Sequence, residues 1–139
     1  MDAPVVALAL AAALHAGFQL TVTAVVYPAL ARVDGDRWPA AHDAHGRSIA
    51  PLVGGVYLAL VGAGIWAVLS QPGLWVWVSV AGALLAGLTT AFVAAPTHGA
   101  LGRGRSDVLV GRLLVADRVR SLGAVVCLAA AVLALAFAA

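Results

Sequence analysis

Residues 37–51 read "RWPAAHDAHGRSIAP" and gather Arg37, His42, Asp43, His45 and Arg47 between two long apolar runs. His42 and His45 are three apart, so on a helix they project from one face. Histidine titrates near neutral pH and can serve as a general base. Arginine can steady a developing oxyanion. The same imidazoles could instead ligate a metal. His42, His45 and His98, with Asp43 or Asp117 nearby, would suit zinc, copper or non-haem iron. Two histidines on facing helices could also hold a haem. No HExxH-type motif occurs, so chemistry without a cofactor is the first expectation, and a metal ion or haem is the alternative.

The elements that must position these groups follow from composition. The chain has 139 residues, of which 63% are hydrophobic and 10% charged, with a mean hydropathy of +1.03. Soluble domains carry roughly a quarter charged residues, so this is the composition of a membrane protein. Four stretches, at about 4–31, 49–70, 74–97 and 108–138, reach the roughly 20 apolar residues that a span needs. None alternates with period two, and lipid demands internally satisfied backbone, so they are predicted to be helices. The expected fold is all-α: a single integral membrane domain over 1–139, an antiparallel bundle of four transmembrane helices at about 4–32, 39–70, 74–98 and 107–138. The first run lacks the basic start of a signal peptide and is too long for its apolar region, so it is expected to remain as a helix.

Boundary signals refine this layout. "VDGD" reads as a turn, and Trp38-Pro39 opens the second helix, since proline suits a first helical turn. Trp38, Trp75 and Trp77 read as interfacial anchors. The short "SQPG" link predicts that helices two and three are antiparallel neighbours. Gly99 reads as a helix stop, and Ser106 or Asp107 as the next cap. The glycines at 54, 55, 62, 64, 82 and 87 are expected to let helices approach closely. No convincing internal repeat is visible. Cys127 stands alone, which excludes an intrachain disulfide and points to a small buried apolar side chain.

All eight basic residues are arginines, at 32, 37, 47, 103, 105, 112, 118 and 120. Each falls at the bundle end carrying the 33–48 and 98–107 connections. The positive-inside rule places that end in the cytoplasm and both termini on the non-cytoplasmic side. The absence of lysine and the wealth of alanine suggest a GC-rich bacterial genome, hence a multi-pass protein of the bacterial cytoplasmic (inner) membrane. No aromatic-rich basic surface suggests nucleic-acid binding. The expected partners are the lipid bilayer and a hydrophobic small molecule, and the small-residue faces would allow a homo-oligomer.

Helical rise then places the polar groups. Counted from the outer face, Tyr27, His45, His98 and Asp117 all come out at roughly 30–36 Å, one layer on four helices. His15, Gln19, Thr23 and Tyr27 recur every four residues as a slanting stripe, because each step of four overshoots a full turn by only ~40°. Thr90 and Thr97 share a face of the third helix, and Asp117, Arg118 and Arg120 cluster on the fourth. Such polar faces should turn inward. Together they outline a funnel in which His15, Gln19, Thr23, Tyr27, Thr90, Thr97 and Arg120 contact a substrate beside the candidate catalytic groups His45, His98, Arg47, Asp117 and Arg118. Asp117 with Arg118 or Arg120 reads equally as a structural ion pair, and Arg103, Arg105 and Arg112 read as lipid-headgroup contacts. His15, some 20 Å deeper than His45, cannot share a metal with it; it reads either as a structural group hydrogen-bonded to Gln19 or a helix-three threonine, or as the floor of the funnel.

The segments "GFQLTVTAVVYPALARV", "RSIAPLV", "VAAPTHGALGRG" and "ADRVRSLGAVVCLAAAVLAL" resemble the anthrone-oxygenase-like family of small four-helix membrane proteins. "PAL" after helix one, the proline near the end of helix three and "VR" in helix four carry the likeness. "AHGR" departs from the family's amide-rich "xINR"-like segment. The resemblance implies oxygenation of anthrones to anthraquinones without a cofactor. His45 or His98 would take an acidic C–H proton, Arg47 or Arg118 would steady the enolate oxygen, and the carbanion would react with O2. Two other classes stand beside it: a His-ligated metal or haem protein acting as oxidase or electron carrier, and a non-catalytic binding or assembly protein.

Overall fold

The computed structural model describes residues 2–70 and 72–137. It contains four long helices: α1 (Ala3–Ala31), α2 (Gly35–Ser70, opening with a 3-10 turn Gly35–Arg37), α3 (Leu74–Leu101) and α4 (Asp107–Phe137). Each is long and apolar enough to cross a membrane. Large apolar side chains cover the outside, with Leu69 80% and Leu58 76% exposed, a surface that water would penalise and lipid accepts.

Local chemistry sets the ends. Pro4 sits in the first turn of α1, where a missing N–H costs nothing. Ser106 precedes α4, and its Oγ accepts from the Leu109 N–H at 3.4 Å, an N-cap contact. The third helix runs past Gly99 to Leu101. The stop lies three residues later, where the Gly102 N–H bonds the His98 carbonyl at 3.0 Å and Gly104 takes φ 153°, a backbone that glycine tolerates best.

Both α1 and α3 contain a π turn, Val22–Val26 and Thr90–Ala94. In each, one residue separates the turn from a proline, Pro28 or Pro96. Proline has no N–H for the carbonyl four residues back and its ring crowds that carbonyl. A wider turn relieves both problems, and π turns recur at functional sites. The same device on two helices is a structural repeat that the sequence alone does not reveal.

Packing is uneven. A Cβ built on Gly82 would stand 2.7 Å from the Cys127 nitrogen and the Gly123 oxygen, and one on Gly123 would stand 2.7 Å from the Gly82 oxygen. The α3 and α4 backbones therefore touch, as small residues permit in membranes. Ser79 adds a 2.9 Å hydrogen bond to the Cys127 carbonyl. Helix α1 packs on α4 and α2, burying Leu8, Ala12, Leu60, Ala67 and Ala131 in one core. Helix α2 meets α3 only sparsely, despite the short link between them, so a cleft runs along that seam. The other glycines do not serve close approach as expected. Gly54, Gly55 and Gly62 have nothing within 4 Å, and Gly64 and Gly87 meet one side chain each, at 3.8 and 3.6 Å. Trp38 is not an interfacial anchor either: it is 1% exposed, and its Nε1 donates to the Leu101 carbonyl at 3.0 Å, tying the start of α2 to the end of α3.

Candidate functional site

The polar stripe of α1 divides its labour. Gln19 Nε2 donates to Asp117 Oδ1 at 2.7 Å, and the Thr23 and Ser121 hydroxyls meet at 2.7 Å. Asp117 and Ser121 are one turn apart on α4, so this part of the stripe joins α1 to α4 and does not line a funnel. Beyond the π turn, Tyr27 faces the α2–α3 side. Its hydroxyl accepts from Arg120 Nη2 at 3.1 Å and lies 3.0 Å from His98 Nε2. His98 Nδ1 in turn lies 3.3 Å from His42 Nε2.

Arg120, Tyr27, His98 and His42 thus form a continuous chain drawn from all four helices. Arginine can only donate, so the phenolic oxygen accepts from it. The phenol proton can pass to His98 Nε2, with the His98 Nδ1 proton passing to His42, because a neutral imidazole offers one donor and one acceptor nitrogen. Aromatic packing fixes these rings. Trp38 stacks on His42 at 5.3 Å, His45 stacks on His98 at 5.5 Å, and the Arg120 guanidinium lies 5.6 Å from the Tyr27 ring centroid. Asp117 Oδ1 also accepts from Arg120 Nη2 at 2.8 Å, with both side chains buried. A buried guanidinium without a counter-charge would be prohibitive; Asp117 supplies that charge, and Gln19 holds the Asp117 carboxylate in turn.

This chain edges a cleft of about 400 Å³. Tyr27, His42, Thr90, His98 and Arg120 supply its polar wall; Phe18, Val22, Ile49 and Val53 supply apolar surface, and Gly46 and Gly54 leave room. Arg120 is 6% exposed, and its buried Nε has no hydrogen-bond partner among the described residues.

Several expected site residues lie elsewhere. Arg47 is 72% exposed and pairs with Asp43 at 2.5 Å, and Arg118 is exposed. Neither reaches the cluster, because 118 and 120 differ by about 200° around the helix. Asp117 stands behind Arg120, not in the cleft, and His45 stands behind His98. Thr97 donates to its own helix at Val93, 2.6 Å away. His15 is fully buried against Tyr57, with ring centroids 5.1 Å apart, and both of its nitrogens lack partners among the described residues. Arg105, expected at lipid headgroups, bonds the Ala31 carbonyl at 3.3 Å and Asp107 at 2.7 Å. Tyr57 and Ser121 were not anticipated. Tyr57 bonds Thr90 at 2.9 Å; it is a lone phenol inside an apolar span, which was the available signal. Ser121 follows Asp117 by one turn.

The metal reading meets a geometric obstacle. Among the described residues no three His, Cys, Asp or Glu side chains form a group that could hold a metal ion. His45 lies over the face of His98, 29° between planes, so its in-plane lone pairs are not aimed at a point shared with His42 and His98. The 3.3 Å between His98 and His42 nitrogens is also shorter than the roughly 4 Å that two opposed metal–nitrogen bonds of about 2 Å require, as haem would.

No family model matches the chain, and no curated protein or solved structure matches it.

Proposed function

We propose that this protein is a membrane-embedded enzyme acting on a hydrophobic aromatic small molecule, with O2 chemistry like that of the anthrone oxygenases. The observation that carries the proposal is the Arg120–Tyr27–His98–His42 chain on the wall of an otherwise apolar cleft. The proposed topology has four helices alternating in direction, both termini on the non-cytoplasmic side and the arginine-rich end facing the cytoplasm of a bacterial inner membrane. The confinement of all eight arginines to one end supports it.

In the proposed reaction, Tyr27 and His98 act as one base. As the phenol passes its proton to His98 Nε2, its oxygen takes an acidic C–H proton from a ring CH2 flanked by an arene and conjugated to a carbonyl. Arg120, which lines the cleft, holds the resulting enolate oxygen, in place of the exposed Arg47 and Arg118. The carbanion gives one electron to O2, and the radical pair closes to a C–O bond, forming a peroxide at that carbon. Loss of the second C–H proton breaks the O–O bond and expels hydroxide, which leaves as water. One CH2 and one O2 become one C=O and one H2O.

The test is O2 uptake by purified protein supplied with an anthrone. The expected result is one O2 consumed per anthrone. His98→Ala and Tyr27→Phe should each lower the rate by about 10²–10⁴, Arg120→Gln by about 10²–10³, while Arg118→Ala keeps the full rate. Uptake no faster than the spontaneous reaction would rule out the enzyme and leave a binding or assembly protein, and full activity in His98→Ala would overturn the assigned base.

A further inference from the structure

A second void of about 470 Å³ lies along the same α2–α3 seam, and the 2.9 Å hydrogen bond between Tyr57 and Thr90 crosses the seam between the two. The second void begins at Tyr57 and Gly87, one turn below Gly54 and Thr90 of the first, and extends to Leu69 and Trp77. From Tyr57 to Leu69 the helical rise gives a length of about 18 Å. Apart from Tyr57, the side chains lining it are apolar, including Leu60, Val61, Val80, Ala83 and Leu84.

Two observations indicate that this space is kept for a ligand. Glycine inside a helix costs roughly 1 kcal/mol relative to alanine, yet Gly46 and Gly54 line the first void with nothing within 4 Å. Gly64 and Gly87 line the second with one neighbour each. Those glycines keep the seam open without bringing helices together, unlike Gly82 and Gly123. At the head of the seam Arg120 lines the first void, and its buried Nε–H has no acceptor among the described residues. An acceptor oxygen arriving at the top, beside Phe18 and the imidazoles, and an apolar chain lying below it, would fill both.

From this succession of a polar-walled void and an apolar one along a single seam we infer that the ligand is an amphiphile: an aromatic head bearing a phenolic or carbonyl oxygen, which meets Arg120, and a long alkyl or prenyl tail that displaces the Tyr57–Thr90 contact and lies in the groove between α2 and α3. The seam opens to lipid, so the ligand enters sideways from the bilayer. The inference rests on the proposed function for its aromatic head, and adds the tail.

Binding of benzoquinone without a tail and of decylbenzoquinone, read by quenching of tryptophan fluorescence in nanodiscs, tests it, since Trp77 lines the groove. Gly64→Trp and, independently, Ala83→Trp would plug the groove and leave the head site untouched. Both quinones are compared between wild type and plugged protein in the same membrane, so partitioning into lipid cancels. Each plug should weaken the decyl compound by about fivefold or more, through lost tail packing, and leave benzoquinone binding unchanged. A decyl analogue with a diazirine at its tail end should cross-link near Trp77 and Val80, a readout that does not depend on either variant folding. Equal losses for both quinones, no loss for either, or cross-links scattered over the outer lipid face would overturn the inference. If anthrone is oxygenated but the tail is irrelevant, the inference fails alone. If the tail binds as described while His98→Ala changes no activity, the proposed reaction fails alone.

Discussion

Arg120 divides one Nη2 between Asp117 and Tyr27, and its side chain lines the cleft. Its usefulness depends on Asp117, whose carboxylate balances the buried charge and fixes the guanidinium. Asp117→Asn keeps the shape but removes the balance. The expected loss is about 3–5 kcal/mol of stability, the usual cost of leaving a buried charge unpaired, measured by unfolding in mixed detergent micelles. Asp43→Asn, which breaks the exposed pair with Arg47, should change stability by about 1 kcal/mol or less. Equal effects would show that burial does not govern these pairs. The level of Tyr27, His45, His98 and Asp117 was legible in the sequence, because rise along a helix is fixed at about 1.5 Å per residue. Which arginine joins them was not. Arg118 and Arg120 share a charge and nearly a depth, and differ in azimuth, which is set by how α4 packs on its neighbours.

At the scale of the helix, the four spans were legible from apolar length, and the π turns were not. Pro28 and Pro96 signal a disturbance, but whether a membrane helix kinks, tightens or widens there depends on the helices around it. Glycine is similarly ambiguous. Gly82 and Gly54 look alike in sequence, each within an apolar run of small residues, yet one abuts a neighbouring backbone and the other borders an open cleft. Alanine should separate them. In Gly82→Ala the new Cβ has no room, with backbone atoms of α4 at 2.7 Å, so α3 and α4 must part at a cost of about 1–3 kcal/mol. In Gly54→Ala the Cβ meets nothing, and the gain in helix propensity should make the change neutral or stabilising by up to about 1 kcal/mol. Unfolding of both variants under identical detergent conditions gives the comparison. A Gly82→Ala protein as stable as wild type would mean that the backbone contact between α3 and α4 is not what holds them.

For the whole molecule, the asymmetric charge predicts an orientation in a bilayer. Every arginine lies toward the end that carries the 32–34 and 102–106 connections, and the link at 72–73 carries none. Translocating arginine across a membrane is disfavoured, so the charged end should stay in the cytoplasm. That orientation would put His42 at the cytoplasmic end of the proton chain, where the proton taken from substrate can leave to water, while the apolar groove lies deeper in the bilayer. The native thiol makes this measurable, because Cys127 is fully buried and should stay silent toward a membrane-impermeant maleimide. Pro72→Cys introduces a thiol on the uncharged link, and Ser106→Cys one beside Arg105 on the charged end. In spheroplasts with an intact inner membrane, the thiol at 72 should label at once, and the thiol at 106 only after permeabilisation. The reverse pattern would turn the molecule over, place the exit of the proton chain outside the cytoplasm, and require a different source for whatever reaches the cleft.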